Sequence, residues 1–348
     1  MQPSQHSRKR CSGRQRISFD PADAYFFAEN GGQWDLSLTP SLLKQAIRII
    51  GIVAFGFLFT ATSACTSVSK PASDGPVTRL FTDDAGRRVS LPAKVDRVIS
   101  LAPNLTEIVF AVGAGDRLVG RTTYCDFPPQ AKAVAEVGDT LHPSLERIIS
   151  LKPQVVLIST SSQLEVFTQQ LQNQNIASFV TDPHDLEGVF RSIAQIGEIF
   201  GQQEQANVLV QKLRARANAV EEAVKQKPPV RVFYQLSAEP LYTAGHDAFV
   251  TDLMRRAGAA SVTADIPGAW PKFSNESALA AKPEAIILPT GGSMGSANSD
   301  VTEALRKSPA ALAGRVYKIN DDHLARPGPR AVDGLEEMAR ALHPDAFK

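Results

Sequence analysis

The chain of 348 residues predicts an α/β fold: two Rossmann-like α/β lobes bridged by a single long α-helix, with a ligand cleft between the lobes. Three observations point to it. From Val77 onward, strand-like and helix-like segments alternate, the pattern that builds parallel sheets covered by helices. One long amphipathic stretch, Gln203 to Lys227, interrupts the alternation near its middle. An apolar leader with a polar tail lies ahead of all of it and marks an exported protein.

Composition narrows the function. With 43% hydrophobic and 21% charged residues the chain can bury one or two ordinary cores. The 37 basic and 36 acidic residues leave a net charge of +1, which gives no basic face for nucleic acid. Cys11, Cys65 and Cys125 are too few and too scattered for a disulfide framework or a zinc cage.

Residues 1–43 form a polar N-terminal extension that sits oddly before a leader, and translation starting near Leu42 or Leu43 would account for it. Residues 44–65 have the order of a secretion signal: basic Lys44 and Arg48, the apolar run Ile49 to Phe59, then small residues. That run is too short to span a bilayer. Its end, Ala64-Cys65, resembles the lipobox of bacterial lipoproteins, which implies lipidation of Cys65; Thr62 stands where leucine is usual, so ordinary cleavage near Ala64 stays open. Residues 66–76 read as a tether rich in Ser, Lys, Pro, Asp and Gly.

The first lobe spans 77–182. Val77 to Pro92 reads as a hairpin around Asp83-Asp84-Ala85-Gly86. Strands come next at Arg97 to Leu101, Leu118 to Thr122, Val155 to Ser159 and Ser178 to Thr181, with helices at Leu105 to Gly113, Leu145 to Leu151 and Gln163 to Asn173. The bridge, 183–228, holds a helix at Leu186 to Phe200, closed by Gly201, and then the long one. In the latter, Ala206, Leu209, Val210, Leu213, Ala217, Val220 and Val224 recur at threes and fours on one stripe. At 1.5 Å per residue it would run roughly 35–40 Å. Pro228 and Pro229 stop it. The second lobe, 229–348, resumes the alternation at Arg231 to Leu236, Ala248 to Ala257, Ser277 to Ala281, Ala285 to Leu288, Thr302 to Lys307 and Val316 to Ile319, and ends in a helix from about Arg330 to Leu342.

Three kinds of chemistry compete for these lobes. Gly291-Gly292-Ser293-Met294-Gly295 matches the G-x-S-x-G nucleophile motif, with Asp321, Asp322 and His323 downstream in hydrolase order. A nucleophile elbow turns straight into a helix, whereas Ser296 to Ser299 intervene here and Asp300-x-x-Glu303 reads as a later helix start. A glycine-rich loop lining a cleft is the better reading. Metal chemistry has less support, because His142, His184, His246 and His323 are isolated; only His323 sits in a polar cluster, with Asp321, Asp322 and Arg326. Binding explains more residues. Tyr124, Phe127, Tyr242 and Trp270 fall in loops at or after strand ends, where open α/β sheets receive ligands, although aromatic loop residues also pack structurally.

A longer resemblance sharpens the binding reading. The run RVISLAPNLTEIVFAVGAGDRLVGRTTYCDFPPQA at 97–131, Leu145-Glu146-Arg147-Ile148 with Leu151-Lys152-Pro153, the stretch WPKFSNES at 270–277, and Arg326-Pro327-Gly328-Pro329-Arg330 closely resemble the cobalamin-type substrate-binding proteins of ABC importers. These belong to the helical-backbone class that also takes up haem and iron siderophores, and the likeness spans about 77–348. The resemblance implies an exported, lipid-anchored, monomeric receptor without enzymatic activity or cofactor, which passes a corrinoid to an ABC permease dimer in the inner membrane. It maps the cleft onto Tyr124, Asp126, Phe127, Tyr242, Trp270, Asp322 and Arg326, with aromatic faces on the corrin and Asp322 and Arg326 on its amide and phosphate edges. Thr140, Ser159 and His323 stand where a familiar cobalamin binder carries tryptophans. That keeps haem and ferric siderophores open as ligands, with His323 or Tyr124 as an axial haem ligand. The family also places one permease-docking glutamate on each lobe, and the resemblance assigns them to Glu107 and Glu276. Both have a capping alternative: Asn104 with Glu107 spells a capping box, and Glu276 lies in a first helical turn. Cys125 reads as a small buried side chain.

Overall fold

The computed structural model describes residues 77–159, 164–291 and 300–348; the leader, the tether, Cys65 and Ser293 lie outside the described residues. The chain enters through a hairpin, β1 (Thr78–Thr82) and β2 (Arg88–Pro92), paired antiparallel. Its turn is pinned by the buried Asp83 carboxylate, which accepts from Arg87 N at 2.8 Å, Arg87 Nε at 2.9 Å and Val180 N at 3.3 Å.

The first sheet has the order β4-β3-β5-β6, and every pairing is parallel: β3 (Val98–Ser100), β4 (Leu118–Arg121), β5 (Val155–Ser159) and β6 (Ala177–Thr181). Helices α1 (Pro103–Ala111), α2 (Leu145–Ser150) and α3 (Leu164–Asn173) alternate with these strands. The strands are apolar on both sides, as a sheet covered on both faces must be. Ile99, Val156, Ile158 and Val180 pack on one face with Ile148 and Leu171, while Val98, Val155, Leu157 and Phe179 pack on the other.

Helix α4 (Leu186–Ile199) comes next, and Gly201 at φ +66° ends it in a conformation that favours glycine. The long helix α5 (Gln203–Val224) has 22 residues, about 33 Å at 1.5 Å each. It buries Ala206, Leu213, Ala217, Val220 and Val224, with Leu209 and Val210 half-covered, which is the stripe the sequence spaces out. Where α4 and α5 meet, a Cβ on Gly197 would collide with the Ala206 Cβ, so only glycine permits this approach. Helix α5 rests on α4 and also on helices later in the chain. These are α6 (Phe249–Arg256) and α10 (Ala331–Leu342). Arg216 adds ion pairs to α10, at 2.7 Å to Asp333 and 2.8 Å to Glu336.

The second sheet has the order β11-β10-β7-β8, with β9 also on β7. Strands β7 (Val230–Ala238), β9 (Ala259–Ser261), β10 (Ala285–Thr290) and β11 (Val316–Asn320) run parallel, and β8 (Leu241–Thr243) pairs antiparallel with β7. Between them lie α7 (Asn275–Ala280), α8 (Pro309–Leu312) and α9 (Asp321–Leu324). One apolar core runs from Val98 and Phe179 through α4 and α5 to Val232, Ala285, Leu335 and Met338. The two halves therefore share an interior. Among the described residues no helix is long and apolar enough to cross a membrane.

Two details differ from the sequence reading. No helix starts at Asp300: Thr302 N bonds Gln235 Oε1 at 3.0 Å, Asp300 Oδ2 holds Arg306 at 2.8 Å, and only a 3-10 turn at Leu305–Lys307 forms. The strands β8 and β9 are three residues each, too short to leave a period in the sequence.

Candidate ligand cleft and its arginine network

The site is built from segments just past the carboxyl ends of the strands. On the first lobe these are α1 after β3 and the loop 122–128 after β4; on the second they are α9 and the loop 325–330 after β11. The Asn320 side chain caps α9 by accepting from Asp322 N at 3.0 Å, which sets Asp322 in the first turn. Arg326 lies four residues later, with its Nη2 2.9 Å from Asp322 Oδ1. Its Nη1 lies 3.5 Å from Glu107 Oε1 and 3.5 Å from Asp126 Oδ1, both on the opposite lobe. Arg330 makes the tighter crossing, with Nη2 2.6 Å and Nε 3.0 Å from the two Glu107 oxygens. Its guanidinium also lies 4.1 Å from the Phe127 ring centroid, and Nη2 lies 3.7 Å from Asp322 Oδ2. Burial is the largest single influence and opposes the charge on Arg330, yet Glu107, Asp322 and Asp126 together outweigh it and hold the guanidinium above its ordinary pKa.

The network thus joins Asp126, Phe127, Asp322 and Arg326 of the expected site and adds Glu107 and Arg330. Glu107 is 3% exposed and Arg326 6%. This corrects the docking role assigned to Glu107, because a carboxylate sealed by two arginines of the same chain has no face for a partner. The capping box at Asn104 also does not form. Helix α1 starts at Pro103, whose fixed φ suits a first position, and Ala102 caps it without a side chain. Asn104 is already inside the helix and donates from Nδ2 to Pro327 O at 3.3 Å, a second tie between the lobes.

Tyr124 and Tyr242 are half-buried, Tyr242 on β8 and bridged to Lys272. Trp270 is 39% exposed and tilts over Tyr234, with ring centroids 6.2 Å apart. Among the described residues the Tyr234 hydroxyl and Asp321 Oδ1 are buried with no hydrogen-bond partner, and burial, then Asp321, pushes the phenol well above its ordinary pKa. His323 stands apart from the arginines: its Nδ1 lies 2.8 Å from Glu337 Oε1, and its carbonyl backs onto Gly334, where a Cβ would sit 2.5 Å away. Cys125 is fully buried with Sγ 3.1 Å from Thr122 Oγ1, and burial raises its thiol pKa, so it behaves as a packed side chain.

Glu276 is exposed in the first turn of α7, where the Ser274 side chain accepts from Ser277 N at 3.0 Å. The first lobe has the same construction at α2. Ser144 accepts from Arg147 N, Glu146 is exposed in the first turn, and Lys152 and Pro153 lead into β5. Lys282 and Pro283 lead into β10 in the same way, and both lysines adopt φ 46°. Glu146 is therefore the counterpart of Glu276. The repeat Ser-x-Glu with Lys-Pro eight residues after the serine is present in the sequence and identifies it once the two lobes are aligned.

Residues 98–322 match the profile of a family described as periplasmic binding protein. The chain belongs to that family. An uncharacterized ABC transporter substrate-binding lipoprotein of Bacillus subtilis, YvrC, is 32% identical over 274 residues, covering 76% of this chain and 86% of the relative. A vitamin B12-binding protein of Photorhabdus laumondii is 30% identical over 254 residues, covering 73% of this chain and 90% of the relative. Among solved structures, the periplasmic vitamin B12 binding protein BtuF of Vibrio cholerae superposes with a TM-score of 0.66 at 26% identity, covering 73% of this chain and 99% of that one. The periplasmic heme-binding protein RhuT of Roseiflexus gives 0.65 at 23% identity, over 72% and 99%, which is a likeness of fold. Periplasmic binding proteins of this kind bind a substrate for ABC import.

Proposed function

We propose that this chain captures cobalamin or a closely related corrinoid between its lobes and delivers it to the permease dimer of an ABC importer. The observation that carries the ligand class is the charge balance of the network: three carboxylates, Glu107, Asp126 and Asp322, enclose two guanidiniums, Arg326 and Arg330. Haem presents two propionates and ferric siderophores are commonly anionic, and either would have to displace Asp322 or Glu107 from a buried arginine, leaving a buried carboxylate unpaired. A corrin is edged mainly by neutral carboxamides, which can donate to Asp126 and Asp322 and accept from Arg326 while the Glu107–Arg330 pair stays closed on itself. Phe127 and Trp270, each about two-fifths exposed, offer faces for a flat ring system. The B12-binding relative supports the same class.

Delivery runs through Glu146 and Glu276, one exposed carboxylate in an equivalent first turn on each lobe, which suits two arginine-bearing sites on a two-fold permease. Lipidation of Cys65 and the tether 66–76 would hold the receptor outside the cytoplasmic membrane, as the name of the Bacillus relative suggests. The protein performs no chemistry itself. Asp322 is committed to Arg326 and His323 pairs with Glu337, contacts that argue against their serving a serine nucleophile. Replacing Ser293 by alanine is expected to leave ligand binding intact. The test is a paired titration of the purified protein with cyanocobalamin and with haemin, monitored in the visible spectrum. Tighter binding of cyanocobalamin is expected. Tighter binding of haemin, with a shifted Soret band that Tyr124→Phe or His323→Ala abolishes, would replace the corrinoid reading by the haem one.

A further inference from the structure

We propose that Glu107 and Arg330 are positioning residues that tie the lobes together before any ligand arrives and so preset the width of the cleft. The tie is an ordered chain of contacts. Glu107, on the second turn of α1, receives both a terminal and the inner nitrogen of Arg330, at 2.6 and 3.0 Å, the bidentate geometry that fixes a guanidinium plane. That plane lies over Phe127, 4.1 Å from the ring centroid, so a residue of the second lobe sets the pose of an exposed aromatic on the first. Next to it, the backbone of the second lobe comes up against α1. Asn104 Nδ2 bonds Pro327 O, and a Cβ on Gly328 would lie 3.3 Å from the Asn104 Cβ. The carboxylate is 3% exposed, which leaves its ion pair little screened by solvent or salt.

A preset cleft has a kinetic signature. If only a fraction of molecules holds the competent width, the apparent association rate falls by that fraction, while dissociation from the assembled complex is unaffected. A residue that touched the ligand would instead speed dissociation when altered. The inference rests on the corrinoid reading for its ligand probe only. Glu107→Gln keeps the shape and removes the charge, and Arg330→Lys keeps the charge but loses both the fork and the flat face.

The experiment measures stopped-flow binding of cyanocobalamin, together with amide hydrogen exchange of the ligand-free protein. In Glu107→Gln, association is expected to slow about tenfold with dissociation unchanged, and in Arg330→Lys about threefold. Exchange at 103–111 and 326–331 should rise at least tenfold in both variants, while α2 and α7 stay as in the wild type. Wild-type association in both variants, or unchanged exchange in the two segments, overturns the proposal, as does faster dissociation without slower association. Should the wild type bind no cyanocobalamin, the corrinoid reading fails and the exchange data still decide the tie: unchanged exchange refutes it, and paired loosening of the two segments supports it.

Discussion

Helix α2 with β5 and helix α7 with β10 are the same device built once in each lobe, and α1 is the segment that imitates it. In the first two, a serine side chain caps a six-residue helix, a glutamate projects to solvent from the first turn, and a lysine at φ 46° precedes a proline and a strand. In α1 a polar residue also precedes a glutamate, by three positions instead of two, yet proline starts the helix, the cap is an alanine, and the glutamate points into the other lobe. Similar local letters thus serve a surface in one place and an interface in another. What separates them is the loop 326–330, far along the chain, which supplies two arginines.

The largest break in the comparison should come from the glutamates themselves. Glu107→Ala leaves two buried guanidiniums short of their partner and is expected to lower stability by about 3–5 kcal/mol in denaturant unfolding. Glu146→Ala and Glu276→Ala, on exposed turns, should each change it by less than about 0.5 kcal/mol. Equal costs at Glu107 and Glu146 would mean that the buried network holds nothing. A smaller effect sharpens the equivalence of α2 and α7. Lys152 and Lys282 occupy the left-handed region, which costs a side-chain-bearing residue roughly 1–2 kcal/mol, partly offset by the roughly 0.5–1 kcal/mol of entropy that glycine loses on folding. Lys152→Gly and Lys282→Gly should therefore each raise stability by about 0.5–1 kcal/mol, and by the same amount. A gain at one site and a loss at the other would break the equivalence.

The fold was legible because its signals are local and periodic. The stripe Ala206 to Val224 marks α5, and the continuous apolar run Val155 to Ile158 marks a strand buried on both faces. The aromatic loops after strand ends also lead to Phe127 and, with the family resemblance, to Asp126, Asp322 and Arg326, which the network joins. The pairing of Glu107 with Arg330 spans 223 residues and leaves no trace in spacing, so from its neighbours alone the glutamate reads as a cap. Glu146 is legible in principle, but only by reading the two lobes against each other.

The division of roles among these glutamates is tested most directly by uptake of labelled cyanocobalamin in cells that carry the cognate permease, measured alongside Kd for the purified variants. The Glu146→Ala, Glu276→Ala double variant is expected to lose uptake almost completely at wild-type Kd. Normal uptake by that double variant, or loss of uptake that merely tracks a weakened Kd, would contradict the account.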